Sequence, residues 1–233
     1  MTLTYKALSA LLAYPTADLV AALPEIRALV EREPKLPRAR RDALHALAAW
    51  LADSDPIDAQ EAYVALFDRG RATSLHLFEH VHGDSRDRGQ AMVDLKGIYE
   101  RAGFVLAGGE LPDYLPAVLE YLSQRPATEA KDMLGDCAHI LRAVGEALQD
   151  RDSGYSAVFA ALLALNGEPG LAAKRKEAAA PKEKPIDDEW VEEPVIFGPA
   201  GAAACATACG TPLPQQSTVQ FTPRRPAPPG MTR

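Results

Sequence analysis

Three of the chain's five histidines, His76, His80 and His82, fall within seven residues, with Glu79 between them. His76 and His80 are four apart, so two imidazoles could share one helix face. Glu79-x-x-His82 has the spacing of a di-iron carboxylate helix. A site of that kind needs a second Glu-x-x-His and two further glutamates on other helices. The nearest matches, Asp42-x-x-His45 and Asp136-x-x-His139, carry the shorter aspartate. The spacing favours histidines that cap a helix end and hydrogen-bond across the junction at His82–Ser85, and no metal site is expected.

Other polar groups cluster nearby. Asp84, Arg86, Asp87 and Arg88 read either as a solvated turn with Asp84 or Ser85 as N-cap, or as a charged rim that meets a peptide. Glu110, Asp113 and Glu120 form an acidic set in which Asp113 is expected to cap the following helix, leaving Pro116 in its first turn. Carboxylates at an exposed helix start also suit a basic peptide. Cys205-x-x-x-Cys209 lacks a histidine at ligand spacing, and Cys137 falls on an apolar face. Gly83 and Gly89 do not follow a strand, so no phosphate loop is present. No Ser/His/Asp or Cys/His spacing recommends nucleophilic chemistry.

The elements that must position these groups are helices. Ala and Leu dominate an apolar content of 47%, while Val and Ile are sparse. Stripes at i, i+3, i+4 run through Tyr5–Leu12, through Leu19–Val30 with Pro24 kinking or restarting it, and through Leu44–Leu51 after Pro37. Further stripes cover Asp58–Asp68, Met92–Ala102 with Gly103 as stop, and Leu111–Leu122. A long helix is expected after Pro126, lined by Met133, Cys137, Ile140, Leu141, Val144 and Leu148. The last one, Tyr155–Leu162, is closed by Asn166-Gly167. No useful β alternation appears. The expectation is an all-α, bundle-like domain of about eight or nine helices over residues 1–166.

Residues 167–233 differ in composition, holding 11 of the 19 prolines, charge runs and an Ala/Gly stretch. They are expected to form a mostly disordered tail with one short apolar motif at 186–197 around Trp190. That motif could fold back over the body. Residues 1–166 hold 17 Lys and Arg against 24 Asp and Glu, so the whole net charge of −7 lies there. An acidic body argues against nucleic acid, which draws on cations to neutralise phosphates. It is compatible with a basic peptide. No signal peptide or spanning segment is evident, and three irregularly spaced cysteines suit a reducing compartment, so a cytoplasmic location is expected.

Four stretches together carry a family resemblance: LLAYP (Leu11–Pro15), YVALFDRG (Tyr63–Gly70), SLHLFEHVHGDSRDRGQAMVDL (Ser74–Leu95) and ELPDYLPAVLEYL (Glu110–Leu122). With the helical frame between them, the chain resembles the NarJ-type nitrate reductase assembly chaperones of the redox-enzyme maturation, or TorD-like, superfamily. DDEWVEEPVIF (Asp187–Phe197) is similar to the family's C-terminal signature. The sequence departs from the family at Pro112-Asp113-Tyr114, where a histidine is usual in place of Tyr114. Asp84 also stands where glutamate is common.

The resemblance implies a system-specific chaperone without catalysis and without a permanently bound cofactor. Its implied partner is the catalytic subunit of respiratory nitrate reductase, bound as apoprotein through its N-terminal segment. That subunit would be held ready for the molybdenum bis-guanine dinucleotide cofactor and an iron–sulfur cluster before membrane docking. The chaperone would be a monomer or homodimer. Apolar faces left open, with an acidic rim, would take an amphipathic client helix with a basic flank. The residues expected to contact it are Leu77, Phe78, His80, His82, Arg86, Arg88, Asp113, Tyr114 and Glu120. The alternatives are a chaperone of another molybdoenzyme (chlorate, selenate or dehydrogenase type), a metal-binding helical enzyme using His76, His80 and His82, and a plain helical scaffold.

Overall fold

The computed structural model describes residues 3–82, 85, 87–106 and 109–173. The calls on Asp84 and Arg86, on the Trp190 motif and on Cys205 and Cys209 lie outside them. Among the described residues there are ten α-helices, one short 3-10 helix at Arg71–Thr73 and no strand.

Helices α1 (Leu3–Leu12), α2 (Ala17–Glu31), α3 (Arg38–Asp53) and α4 (Pro56–Phe67) come first. Their starts follow local chemistry. Thr16 Oγ1 accepts from the Leu19 amide, and Asp55 accepts from the Ile57 amide with Pro56 just inside α4. Pro24 neither stops nor restarts α2, which runs through it. Pro24 is exposed, so the Val20 carbonyl that loses its helical donor faces solvent.

The short α5 (Leu77–His82) and the longer α6 (Asp87–Arg101) follow. Gly103 ends α6 at φ +82°, and the Phe104 amide reaches back to the Tyr99 carbonyl at 2.9 Å. Helix α7 (Leu115–Ser123) then packs its apolar stripe along α1, where Ser9 Oγ donates to the Pro116 carbonyl at 2.7 Å.

The long helix expected after Pro126 is two helices, α8 (Ala127–Asp136) and α9 (Ala138–Asp150), meeting at Cys137. Just ahead of Cys137, α8 meets α10 (Ser156–Asn166). With its amide oriented to satisfy both groups, Asn166 donates to the Lys131 carbonyl at 2.9 Å and accepts from the Gly135 amide at 3.3 Å. Those two groups would otherwise bond each other in the i→i−4 ladder. A side chain that bonds both groups competes with that rung of the ladder, two residues ahead of the break at Cys137. This break and the short α5 raise the count above the eight or nine expected. Helix α10 is apolar on nearly every side and runs through the middle of the core, against α9 and α3. Gly167 ends it at φ +77°. Leu171 folds back onto the core beside Gly145 of α9.

Candidate functional site

Residues 75–77 and 113–115 cross as one antiparallel bridge between His76 and Tyr114. The Leu77 amide donates to the Asp113 carbonyl at 3.1 Å, and the Leu115 amide donates to the Leu75 carbonyl at 2.8 Å. This crossing brings His76 and Asp113 together. Asp113 is 0% exposed and does not cap α7, whose N-cap is Tyr114 with no side-chain bond. One carboxylate oxygen accepts the Phe78 amide at 3.0 Å, and the other meets His76 Nδ1 at 3.2 Å. Asp113 thus caps α5 from across the chain. The bond to Asp113 raises the His76 pKa, with burial opposing it. Such a buried residue belongs to the interior of the crossing and not to an acidic rim.

The three histidines find separate partners. His76 bonds Asp113, His80 Nε2 meets the Ser74 carbonyl at 2.9 Å, and His82 packs edge-on against Phe78 at 5.7 Å. Glu79 pairs with Arg88 Nη2 at 3.1 Å. Among the described residues no group of three or more His, Cys, Asp or Glu converges in a way that could hold a metal. His76 and His80 hydrogen-bond to Asp113 and to the Ser74 carbonyl and not across His82–Ser85, and the helix cap here is Asp113, not a histidine.

Leu77 is buried, while Phe78, His80, His82, Arg88 and Tyr114 are partly exposed and Glu120 is exposed. Tyr114 and Glu120 come together, but not with the others. They line a groove of about 500 Å³ between α1, α7 and the loop after α6, which Glu110, Phe104, Val105, Leu106 and Tyr121 complete. Val105 is 87% exposed at its edge. Sequence periodicity missed Phe104–Leu106 because they follow the Gly103 stop and join no helical stripe. An apolar triplet outside any helix was the available signal. Phe78, His80, His82 and Arg88 belong to α5 and the start of α6, away from the groove lining.

Tyr114 is held on two faces. Its ring lies against the His76 ring at 5.4 Å, and its hydroxyl meets that of Tyr63 at 3.2 Å. Burial raises the pKa of both phenols, so both keep their protons at neutral pH. A larger apolar cleft, of about 700 Å³, opens between α3 and α4 and is floored by Leu47, Leu66 and several alanines, with Trp50 and Tyr155 in its walls. A third cavity, of about 430 Å³, is polar and contains Arg69, Arg71, His76 and Glu79. No helix among the described residues is long and apolar enough to cross a membrane.

Known proteins share this pattern. The model of the family described as nitrate reductase delta subunit matches residues 33–161. Over 197 residues the chain is 46% identical to the nitrate reductase molybdenum cofactor assembly chaperone NarJ of Escherichia coli K12, covering 81% of this chain and 82% of that protein. It is 43% identical over 181 residues to NarW of the same strain, covering 75% and 78%. It is 33% identical over 162 residues to a NarJ of Bacillus subtilis strain 168, covering 70% and 87%. The chain belongs to the nitrate reductase delta subunit family, in its NarJ-type branch of molybdenum cofactor assembly chaperones, and so to a family of chaperones and not of enzymes.

Proposed function

We propose that this protein is the cytoplasmic chaperone that assembles a respiratory nitrate reductase. Its client is the apo form of the catalytic, molybdenum-containing subunit, engaged through the N-terminal segment. Holding that segment keeps the subunit open for the molybdenum bis-guanine dinucleotide cofactor and for an iron–sulfur cluster, and delays its docking to the membrane partner. The cofactor is cargo for the client and is not retained by the chaperone. The identity to NarJ over four-fifths of both chains supports the system.

The observation that carries the client's chemistry is the α1/α7 groove. Its apolar lining is open to solvent, and its charged side chains are the carboxylates Glu110 and Glu120. An amphipathic helix lays an apolar face into such a groove, and cations on its flank meet the carboxylates. Lys6 approaches Glu120 only to 4.0 Å, both being well exposed, so a client cation displaces it at little cost.

Calorimetry with a peptide of the client's N-terminal segment tests the reading. Ala117→Trp, which fills the groove, is expected to abolish binding. Glu110→Lys with Glu120→Lys is expected to weaken it about tenfold or more at low salt and less at high salt. Ala62→Trp, in the α3/α4 cleft, is the control and leaves affinity unchanged. Binding that survives Ala117→Trp but not Ala62→Trp moves the site to the other cleft. Co-purification of a different molybdoenzyme from the native host would assign another client.

A further inference from the structure

Tyr63 lies behind the groove, not in it. Its ring packs against Phe67 at 4.7 Å and edge-on to Tyr14 and Tyr155, so the side chain has one orientation. Its hydroxyl sits 2.9 Å from the Leu12 carbonyl and 3.2 Å from the Tyr114 hydroxyl. Leu12 is the last residue of α1, so its carbonyl has no helical donor and can only accept. A phenol carries one proton. If Tyr63 gave that proton to Tyr114, two acceptors would face each other at Leu12 in a buried place. Both contacts are satisfied only when Tyr63 donates to Leu12 and Tyr114 donates to Tyr63.

This proton order has a consequence at the groove. Once the Tyr114 proton is committed to Tyr63, the hydroxyl of this groove-lining residue can only accept from anything docked there. With the Glu110 and Glu120 carboxylates, acceptors dominate the polar face of the groove, Gln124 being the lining side chain there that also carries N–H donors. We propose that Tyr63 is a specificity-determining positioning residue, which fixes Tyr114 as an acceptor and so selects segments bearing N–H donors, lysine or arginine above all. The inference rests on the α1/α7 groove being the client site.

The test uses the full chain and two synthetic amphipathic helical peptides, one with lysines along its polar flank and one with norleucine in their place. The ratio of their affinities is the readout. The wild type is expected to favour the lysine peptide. Tyr63→Phe keeps the ring but frees the Tyr114 proton to turn toward the groove, and is expected to lower the ratio about threefold, since the oxygen can still accept when the proton turns away. Tyr114→Phe, which removes the acceptor, is expected to lower it about tenfold, the worth of one hydrogen bond to a charged donor, and the double variant to lower it no further than Tyr114→Phe alone. A purely structural role would weaken both peptides alike and leave the ratio intact, which would overturn the proposal, as would independent, multiplying effects of the two variants. Should Tyr63→Phe fail to fold, an unchanged ratio in Tyr114→Phe overturns it alone. A wild type that binds neither peptide overturns the groove reading and this inference together; a wild type that binds both without preference overturns the selectivity alone.

Discussion

The carboxylate of Asp113 accepts the amide of Phe78 at 3.0 Å, so a residue two positions ahead of α7 caps a helix that began 36 residues earlier. The same carboxylate meets His76 with its other oxygen. A fully buried charge is tolerated here because both oxygens have donors.

Replacing Asp113 with alanine is expected to cost about 3 kcal/mol, since it orphans the Phe78 amide and strips His76 of its partner. Asn keeps an acceptor for Phe78 and should cost less. Urea midpoints read both, and an alanine variant as stable as wild type would contradict the capping role.

The His76–Asp113 pair carries a pH signature. The carboxylate raises the His76 pKa, with Glu79 adding to it and burial and Arg88 opposing. The folded value therefore lies above the unfolded one of about 6.5. Its stabilisation is complete below that value and is lost as pH rises through the folded pKa. The wild-type urea midpoint should fall from pH ~6 to ~8 by more than that of His76→Gln. Equal slopes would remove the pair from the account.

Two buried tyrosine hydroxyls should respond oppositely to loss. Tyr155 is 1% exposed, and its hydroxyl has no hydrogen-bond partner among the described residues. Tyr155→Phe is expected to be neutral or to stabilise by up to ~1 kcal/mol. Tyr63→Phe orphans the Leu12 carbonyl and should destabilise by about 1–2 kcal/mol. Thermal unfolding of the two variants distinguishes them by sign.

Gly145 of α9 sits where a Cβ would come within 2.6 Å of Leu171 Cδ2 and 2.9 Å of Phe159 Cβ. Leu171 can swing away, but Phe159 belongs to α10 and its Cβ moves only with the backbone. Gly145→Ala is therefore expected to cost about 1–3 kcal/mol despite the better helix former. A chain stabilised by this change would mean that α9 and α10 pack less tightly than described.

Most helices were legible because each has its own apolar period. The stripe from Leu115 to Leu122 and the Asn166-Gly167 stop needed no knowledge of the rest of the fold. What escaped depends on partners distant in sequence. Nothing near Cys137 announces that Asn166, some thirty positions later, will take both groups of one ladder bond. Asp113 looks like the cap of its neighbour, and only the crossing with His76 shows that it serves α5. At the candidate site, Tyr114 was readable from the apolar stripe and Glu120 as a carboxylate off that stripe, but not the groove that brings them together. Tyr63 was read as a packing residue, since periodicity reports where a ring is buried and not what its hydroxyl reaches.

The two backbone bonds at the crossing, Leu77 to Asp113 and Leu115 to Leu75, act as a clasp at the stem of the excursion that carries α5 and α6. Tyr99 of α6 adds a second tie, packing against Tyr121 of α7 at 4.7 Å and donating to the Pro112 carbonyl at 2.8 Å. The groove wall at Tyr114 thus keeps its place against the facing wall that Phe104–Leu106 supply from the same excursion.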